Sequence, residues 1–598
     1  MAPTSPPRLR VRRFEARTVP GQLVFTAARV PDRIFLRFID PVAPSAGPRD
    51  LSYGAFRTLV RRAAAFLATA GVGPGDRVLL LAENSPEWPA VSIAAQTLRA
   101  EPAALFASLA AGPAEEIARR VRPKVIFVSG PAQWQKLAGA AADLAAAGLK
   151  AVLSLDPLQP AEVPAGVLLA HRAALAEGAP ALSRADLEAR AGEVGEEDPF
   201  LILFTSGTTG RQKGVRLRQR SIVHAVDCGV VGVQAVEEDL GLHLLPFGHV
   251  AGHDQFCLAM AQGHSLAMIT RKEDVPRALA LRPTYLFSVP LVYERMRSAA
   301  LEKVAAMPAP LRALIRAALA ASERVRVDGS GAPLDRLLGA VADATVGKKL
   351  KAGLGGRVRG LFSGGAPAST ALFRFFEGLG LRYVELYGMT ETAGLVSIAP
   401  FDGPRRAGSV GLVTPDHEVR VSAEGELQVR GVLCMAGYLE EADAEGAFTE
   451  DGFYRTGDLA TLREDGTLWI TGRKKHLMVL STGKKIAPEP IETAVASALP
   501  FQGAVLLGEG RPFLSAAVFV LQAELDRLAA HGQEAAEALL PLARAALAPF
   551  SEHEKPKKLL VIPGTPQDYP ALITPSFKVK RDALVGFLGA RVAELYRR

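Results

Sequence analysis

The sequence predicts an α/β fold, and three observations carry that expectation. Short apolar runs alternate with helical patterns along most of the 598 residues. The runs are followed by loops rich in Gly, Ser and Thr, as at the carboxyl ends of strands in parallel sheets. Near residue 472 the chain changes character, with about 125 residues left, enough for a small separate domain.

Four runs read as buried strands: RVLLLAEN (77–84), KVIFVSG (124–130), FLILFTSG (200–207) and TYLFSVP (284–290). Before the first, Leu59, Val60, Ala63, Leu67 and Ala70 share one helical face, and Gly71 stands where that helix should stop. PVAPSAGPRD (41–50) and PLQPAEVPAG (157–166) read as surface loops, because Pro and Gly interrupt both regular patterns. The echoes GSGAP (329–333) and SGGAP (363–367) are too short to make a repeat.

Composition narrows the function. The chain is 49% apolar and 22% charged, ample for a packed core. Its three cysteines, Cys228, Cys257 and Cys434, lie far apart, which fits a reducing compartment. No apolar run reaches a membrane span, and no apolar stretch follows the early arginines Arg8, Arg10, Arg12 and Arg13 as a secretion signal would require. The net charge of +8 is spread along the chain without a basic block or interleaved aromatics, so nucleic acid is not an expected partner.

The chemistry concentrates in a few motifs. LFTSGTTGRQKG (203–214) places Thr205, Ser206, Thr208 and Thr209 around Gly207 and Gly210, with Lys213 close behind. Glycines let backbone N–H groups approach phosphate oxygens, the hydroxyls donate, and the lysine is a point charge. A P-loop would need Gly-Lys-Ser/Thr, and here Gln212 precedes Lys213 and Gly214 follows it. LPFGHVAG (245–252) holds His249, four residues before His253, but without the adjacent glutamate of a zinc-protease helix. LFSGGAPAS (361–369), LYGMTET (386–392), a TGD (456–458) fifteen residues before GRKK (472–475), LSTGKKIAPEPIE (480–492) and LITPSFKVKRDAL (572–584) complete the set.

Together and in this order, these motifs resemble the adenylate-forming (AMP-binding) enzymes, which include acyl-CoA synthetases, peptide-synthetase adenylation domains and beetle luciferases. The resemblance runs from about residue 31 to residue 584. It implies a large multi-layer N-terminal domain (1–473) with mostly parallel sheets, and a small mobile α+β lid (474–598) hinged near Lys475. It implies that Thr205, Ser206, Gly207, Thr208, Thr209, Gly210 and Lys213 hold phosphates. His249 would border the acyl site, Gly364, Gly365 and Ala366 would lie beside adenine, and Tyr387, followed by Gly388, would stack on the base. Thr390 would contact phosphate or carboxylate oxygens and Glu391 would bind Mg²⁺, the one-carboxylate arrangement usual for that ion beside a triphosphate. Asp458 would accept from the ribose hydroxyls, Arg473 would reach ribose or α-phosphate, and Gly483 would lie against the pantetheine arm of CoA.

The lid lysine falls on Lys578, three residues before Arg581, although Phe577 replaces the usual glycine and Lys580 is a two-residue slip away. Gln212 stands where relatives carry proline, which predicts a more mobile loop, and RAEPAALFASLAAG (99–112) departs from the common pattern. SVPLVYERM (288–296) and the insertion before SGGAP resemble the long-chain fatty acid–CoA ligase branch. The expected reaction is therefore ATP-dependent activation of a medium-to-long fatty acid to acyl-AMP, then thioester formation with CoA. The same first half-reaction serves a fatty acyl-AMP ligase or an acyl-[carrier protein] synthetase, and a non-catalytic binding relative is the alternative from another class. The expected setting is cytoplasmic, with peripheral contact with anionic lipid, suggested by the positive charge, as the alternative placement.

Overall fold

The computed structural model describes residues 11–40, 45, 47–206, 211–574 and 579–597. Two large sheets dominate. In the first, of thirteen strands, Arg382–Tyr387, Gly360–Ser363, Tyr285–Ser288, Leu240–His243, Ser265–Met268 and Ile34–Ile39 lie parallel, in that spatial order. In the second, of eight, Pro199–Ser206, Glu101–Leu105, Arg77–Leu81, Val125–Val128, Ala151–Ser154 and Leu168–His171 lie parallel. The four runs read as strands all lie in these parallel cores. Val125–Val128 is buried at every position, as expected of a parallel strand covered on both faces.

Helix Tyr53–Thr69 starts on Ser52, whose hydroxyl accepts from Ala55 N, and the chain turns at Gly71 with φ +77°. Its buried face holds Phe56, Val60, Ala63 and Leu67, while Leu59 and Ala70 sit at the margin. The predicted stripe is thus rotated slightly toward Phe56.

Between the sheets runs helix Gln219–Val233, buried at thirteen of its fifteen positions. A helix apolar all round belongs between layers. The largest core cluster joins it to Leu80 and Leu203 of one sheet and to Leu36, Tyr285 and Val384 of the other. Gly229 lets Leu258 of the neighbouring helix Val250–Gln262 come close, since a Cβ there would lie 3.1 Å from its Cδ1.

The first sheet does not stay parallel. Beyond Tyr387 it continues antiparallel through Ser397–Ile398, Gly411–Val413, Thr467–Arg473, Tyr454–Leu462, Glu426–Gly431 and His417–Val421. No helix long enough for a crossover separates these strands, and short turns can join only antiparallel neighbours.

At the opposite end of the parallel core, Asp239 ties three strands together. It accepts from Thr284 Oγ1 at 2.6 Å and from Arg359 Nε and Nη2 at 3.0 and 2.6 Å. These residues immediately precede strands Leu240–His243, Tyr285–Ser288 and Gly360–Ser363. The amino ends are thereby closed off, and the carboxyl ends are left to the loops.

From Met478 onward the chain forms a three-stranded sheet, Phe501–Leu507, Ser515–Val520 and Lys558–Pro563, flanked by helices that include Pro488–Ala496 and Ala535–Ala546. The two apolar clusters under this sheet draw on no described residue before Met478.

Several histidines are buried and neutral. Burial lowers the imidazole of His243 to about 4, that of His417 to about 4 and that of His253 to about 3. In the unfolded chain these groups titrate near about 6.5. Below that value the unfolded chain binds protons that the folded chain refuses, so stability is full above about pH 6.5 and falls as pH drops toward 4. Each such histidine should contribute about 1.4 kcal/mol per pH unit to the slope. Buried Glu385, raised to about 8, and Asp254 act in the opposite direction over the same range, so the histidine contribution is read as a difference: His243→Gln should weaken the acid-dependent fall of the urea midpoint relative to wild type, and an unchanged pH dependence would contradict this account.

Candidate active site

The two described arms of LFTSGTTGRQKG form a hairpin. Strand Pro199–Ser206 pairs antiparallel with Gln212–Arg218, with Thr205 opposite Lys213 and Ser206 opposite Gln212. Gly207, Thr208, Thr209 and Gly210 lie outside the described residues. Lys213 Nζ donates to the Asp443 carbonyl at 2.7 Å and stands 5.0 Å from the centre of the Tyr438 ring. The Gln212 carbonyl accepts from Arg120 Nη1 at 2.7 Å, while Arg120 also grips Glu440 with two bonds of 2.6 Å. The base of the loop is therefore anchored through the backbone of the residue that replaces proline. Gly214 is required, since a Cβ there would fall 2.9 Å from Leu439 Cβ and 3.0 Å from the Phe204 ring.

Tyr387 ends the last parallel strand of the large sheet and meets Asp458 and Arg473 from the antiparallel wing. Asp458 and Arg473 are cross-strand partners. Tyr387 Oη donates to Asp458 Oδ2 at 2.7 Å, and Arg473 Nε donates to Asp458 Oδ1 at 2.7 Å. Burial and then the Asp458 charge push the Tyr387 phenol well above its ordinary value, so it remains a donor. Burial alone would lower the Arg473 guanidinium, but Asp458 more than offsets this and its pKa rises. Each Asp458 oxygen holds one partner and has a lone pair to spare for a ligand hydroxyl.

Glu391 lies in the short turn Thr390–Thr392, which begins two residues after Gly388. A Cβ on Gly388 would fall 2.2 Å from the Gly394 carbonyl oxygen, so the turn closes on itself only with glycine there. The Glu391 carbonyl accepts from Met435 N at 2.8 Å, and Tyr438 Oη donates to its carboxylate at 3.3 Å. Tyr438 Oη also lies 3.3 Å from Tyr454 Oη. Burial raises the Glu391 carboxyl above the usual range, opposed by the positive charge of Arg473. Tyr438 thus joins Lys213 to Glu391, and electrostatics join Glu391 to the Arg473–Asp458 pair.

His249 caps helix Val250–Gln262, its Nδ1 accepting from Ala251 N at 3.1 Å. It faces the loop before helix Thr370–Gly378, where Gly364, Gly365 and Ala366 are partly or fully accessible. A Cβ on Gly365, which has φ +79°, would come 4.0 Å from His249 Cε1. Gly364 lies against the Leu386 carbonyl, next to Tyr387. His253 points elsewhere: its Nε2 donates to the Phe247 carbonyl at 2.7 Å, and its ring packs on Trp88. The two histidines are not a metal pair, and among the described residues no three His, Cys, Asp or Glu could hold an ion together. One buried carboxylate beside Lys213 still suits Mg²⁺, which takes most of its ligands from phosphate and water.

Some expected residues stand apart. Lys475 follows Arg473 in the turn Lys474–His476, where the chain leaves the cluster. Gly483 sits at the tip of the hairpin between Met478–Val479 and Lys485–Ile486, with φ +79° and open space around it. Lys578 lies outside the described residues; Lys580 donates its backbone N–H to the Leu572 carbonyl, and Arg581 pairs with Glu492 at 2.7 Å. Tyr438, Tyr454 and Arg120 were not foreseen. The one available signal was scarcity: the chain has nine tyrosines, and three of them, Tyr387, Tyr438 and Tyr454, meet here.

Comparison with known proteins identifies the family. The model of the AMP-binding enzyme family matches residues 24–439, and that of the AMP-binding enzyme C-terminal domain matches residues 475–598. The long-chain-fatty-acid–CoA ligase FadD15 of Mycobacterium tuberculosis is 29% identical over 592 residues, covering 94% of each chain. The Drosophila melanogaster long-chain-fatty-acid–CoA ligase heimdall is 27% identical over 83% of this chain and 75% of its own. Among solved structures, the adenylation domain of a carboxylate reductase from Mycobacterium chelonae superposes with a TM-score of 0.73 at 20% identity, covering 97% of this chain and 91% of that one. ATP-bound MatB from Rhodopseudomonas palustris gives 0.66 at 19%, covering 97% and 100%. With family models matching residues 24–439 and 475–598, the chain belongs to the AMP-binding enzymes.

Proposed function

We propose that the chain is an AMP-forming fatty acid–CoA ligase. It activates a medium-to-long-chain fatty acid with ATP and transfers the acyl group to CoA. The observation that carries this reading is the continuous cluster from Lys213 through Tyr438 and Glu391 to Arg473, Asp458 and Tyr387. It offers a cation for phosphate, a carboxylate for a hard metal ion, and a second carboxylate for ribose. Full-length relatives named as long-chain fatty acid–CoA ligases support the substrate class.

The chemistry follows from the weakness of a carboxylate as an electrophile. The fatty carboxylate oxygen bonds to the α-phosphorus of ATP, the bond to the bridging oxygen breaks, and pyrophosphate leaves. The CoA sulfur then bonds to the acyl carbon and AMP leaves with the electron pair, the thiol proton passing to solvent. Neither step needs a protein nucleophile; both need positioned substrates and neutralised charge. Lys213 and the hydroxyls of 205–209 would hold the β- and γ-phosphates. Asp458, oriented by Tyr387 and Arg473, would take the ribose hydroxyls, with adenine against Gly364–Ala366 and Tyr387. His249 would border the acyl carboxylate, and Thr390 would contact its oxygens or the α-phosphate. Glu391 would hold Mg²⁺, which when bound supplies positive charge to the phosphates.

We assign residues 474–598 to a lid that turns about Lys475, presenting Lys578 for the first step and Gly483 for the second. We place the reaction in the cytoplasm, with peripheral contact at the inner face of the membrane as the alternative placement.

Three measurements test this reading. Pyrophosphate release should rise with acyl chain length into the medium-to-long range, and AMP should accumulate catalytically only with CoA; equal turnover with a carrier-protein thiol would reassign the acceptor. Lys578→Ala should slow acyl-AMP formation by a factor of about 10² to 10³, yet leave acyl transfer from supplied acyl-AMP near wild type. Equal loss of both steps would refute the assignment, and selective loss in Lys580→Ala instead would move it. Tyr387→Phe removes the donor to Asp458 and should raise KM for ATP about tenfold with a smaller effect on kcat; an unchanged KM would detach Asp458 from nucleotide binding.

A further inference from the structure

Helix Val250–Gln262 carries a carboxyl group that the proposed mechanism does not use. Val250, Asp254, Leu258 and Ala261 fall on one helical face. Val250, Leu258 and Ala261 belong to the largest apolar core cluster, so Asp254 interrupts an apolar stripe. Its Oδ1 is buried and meets no donor among the described residues. Its Oδ2 lies over Gly394, where a Cβ would fall 2.0 Å away, and Val250 Cγ1 would stand 3.3 Å from the same Cβ. Burial holds the carboxyl well above the usual carboxylate range, with no cation opposing it, which favours the protonated, uncharged form. Buried polar groups are almost always hydrogen-bonded, so an orphan in an apolar stripe calls for a reason.

The surroundings supply one. Asp254 is enclosed by protein and yet partly accessible, as is Gly394. Phe287 and Leu386, at the carboxyl ends of strands Tyr285–Ser288 and Arg382–Tyr387, are partly accessible too, and so is Met389 beyond them. All three pack on the same core as Val250 and Leu258. The interior is therefore not filled where this helix meets the carboxyl ends of the sheet. His249 caps the helix at that end, and Asp254 lies five residues further along, roughly 7.5 Å down the axis. His253, its neighbour in sequence, is turned away onto the Phe247 carbonyl. An acid whose carboxylate rests at His249 would send its chain past apolar walls and one carboxyl group.

We propose that Asp254 selects an acid whose chain carries a hydroxyl group in the part nearest its carboxylate. A hydroxyl donates to one carboxyl oxygen and accepts from the protonated other, so both partners are satisfied with no charge placed in the apolar interior. An ammonium group would instead need the ionised carboxylate, buried with a single partner. An unsubstituted chain leaves Asp254 unpaired, and a site built around a hydroxyl rejects the analogue lacking it more strongly than an apolar pocket measures length. The inference rests on the proposed acid activation and names which acids enter it.

Pyrophosphate release by the full chain tests it, with one medium-chain fatty acid and the isomers of that acid bearing a single hydroxyl at successive carbons. For the wild type, kcat/KM for one isomer hydroxylated near the carboxylate should exceed that for the unsubstituted acid about tenfold or more. This ranking needs no variant to fold. Asp254→Leu should erase or invert it, with the unsubstituted acid used at least as well as by the wild type. Asp254→Asn, which keeps a donor and an acceptor in the same place, should preserve the preference. A hydroxyl preference that survives Asp254→Leu would overturn the proposal, as would a wild type that favours the unsubstituted acid over every isomer. A preference for the amine-bearing acid of the same length, lost in Asp254→Asn, would overturn it too, assigning the group to an ammonium. If no acid of any kind releases pyrophosphate, the proposed reaction falls and the inference with it; turnover of plain fatty acids without a hydroxyl preference removes the inference alone.

Discussion

The Asp458 carboxylate is the junction on which the site depends. Tyr387 arrives from the parallel core, Arg473 from the antiparallel wing, and both donate to this one group. A buried carboxylate with a cation on one oxygen and a phenol on the other is fixed in position and charge at once. The sheet supplies the rest of the rigidity, since Asp458 and Arg473 face each other across adjacent strands. The wing thus extends the core sheet and also delivers two polar side chains to the carboxyl end of the last parallel strand.

A second junction spans the two sheets. Tyr438 is paired with Val215 in the short strand Gly437–Tyr438, which adds to the edge of the second sheet beside Gln212–Arg218. Its hydroxyl reaches Glu391 in the loop after the first sheet, and its ring lies beside the Lys213 ammonium. Arg120, gripping Glu440 and the Gln212 carbonyl, holds the same edge from the other side. Lys213 and Glu391 therefore cannot shift independently.

Much of this was legible in the sequence, for physical reasons. Buried parallel strands are written as unbroken apolar runs, and each of the four runs proved to be a parallel strand with most of its positions buried. Tyr387, Glu391, Asp458 and Arg473 were singled out because their motifs resemble those of the AMP-binding enzymes, and the fold brings Tyr387, Asp458 and Arg473 into direct contact. The antiparallel wing was not, because strands as short as Ser397–Ile398 and Gly411–Val413 have too few residues for alternation to show. Tyr438, Tyr454 and Arg120 were missed for another reason. Each acts by reaching a group distant in sequence, and nothing around it marks that reach. Arg12 and Arg13 read as free positive charge from composition, yet fixed partners on the body hold both.

The contact between Gly388 and Gly394 sets a fixed perimeter for the turn that bears Glu391. With the backbone closed at both ends, the turn can neither gain a residue nor exchange its glycine without opening. Divergence of this enzyme toward other acids must therefore proceed elsewhere, on segments whose length is free to drift. The loop that carries Glu391 is therefore fixed in length by its own backbone, and change in the molecule falls to segments without such a closed turn.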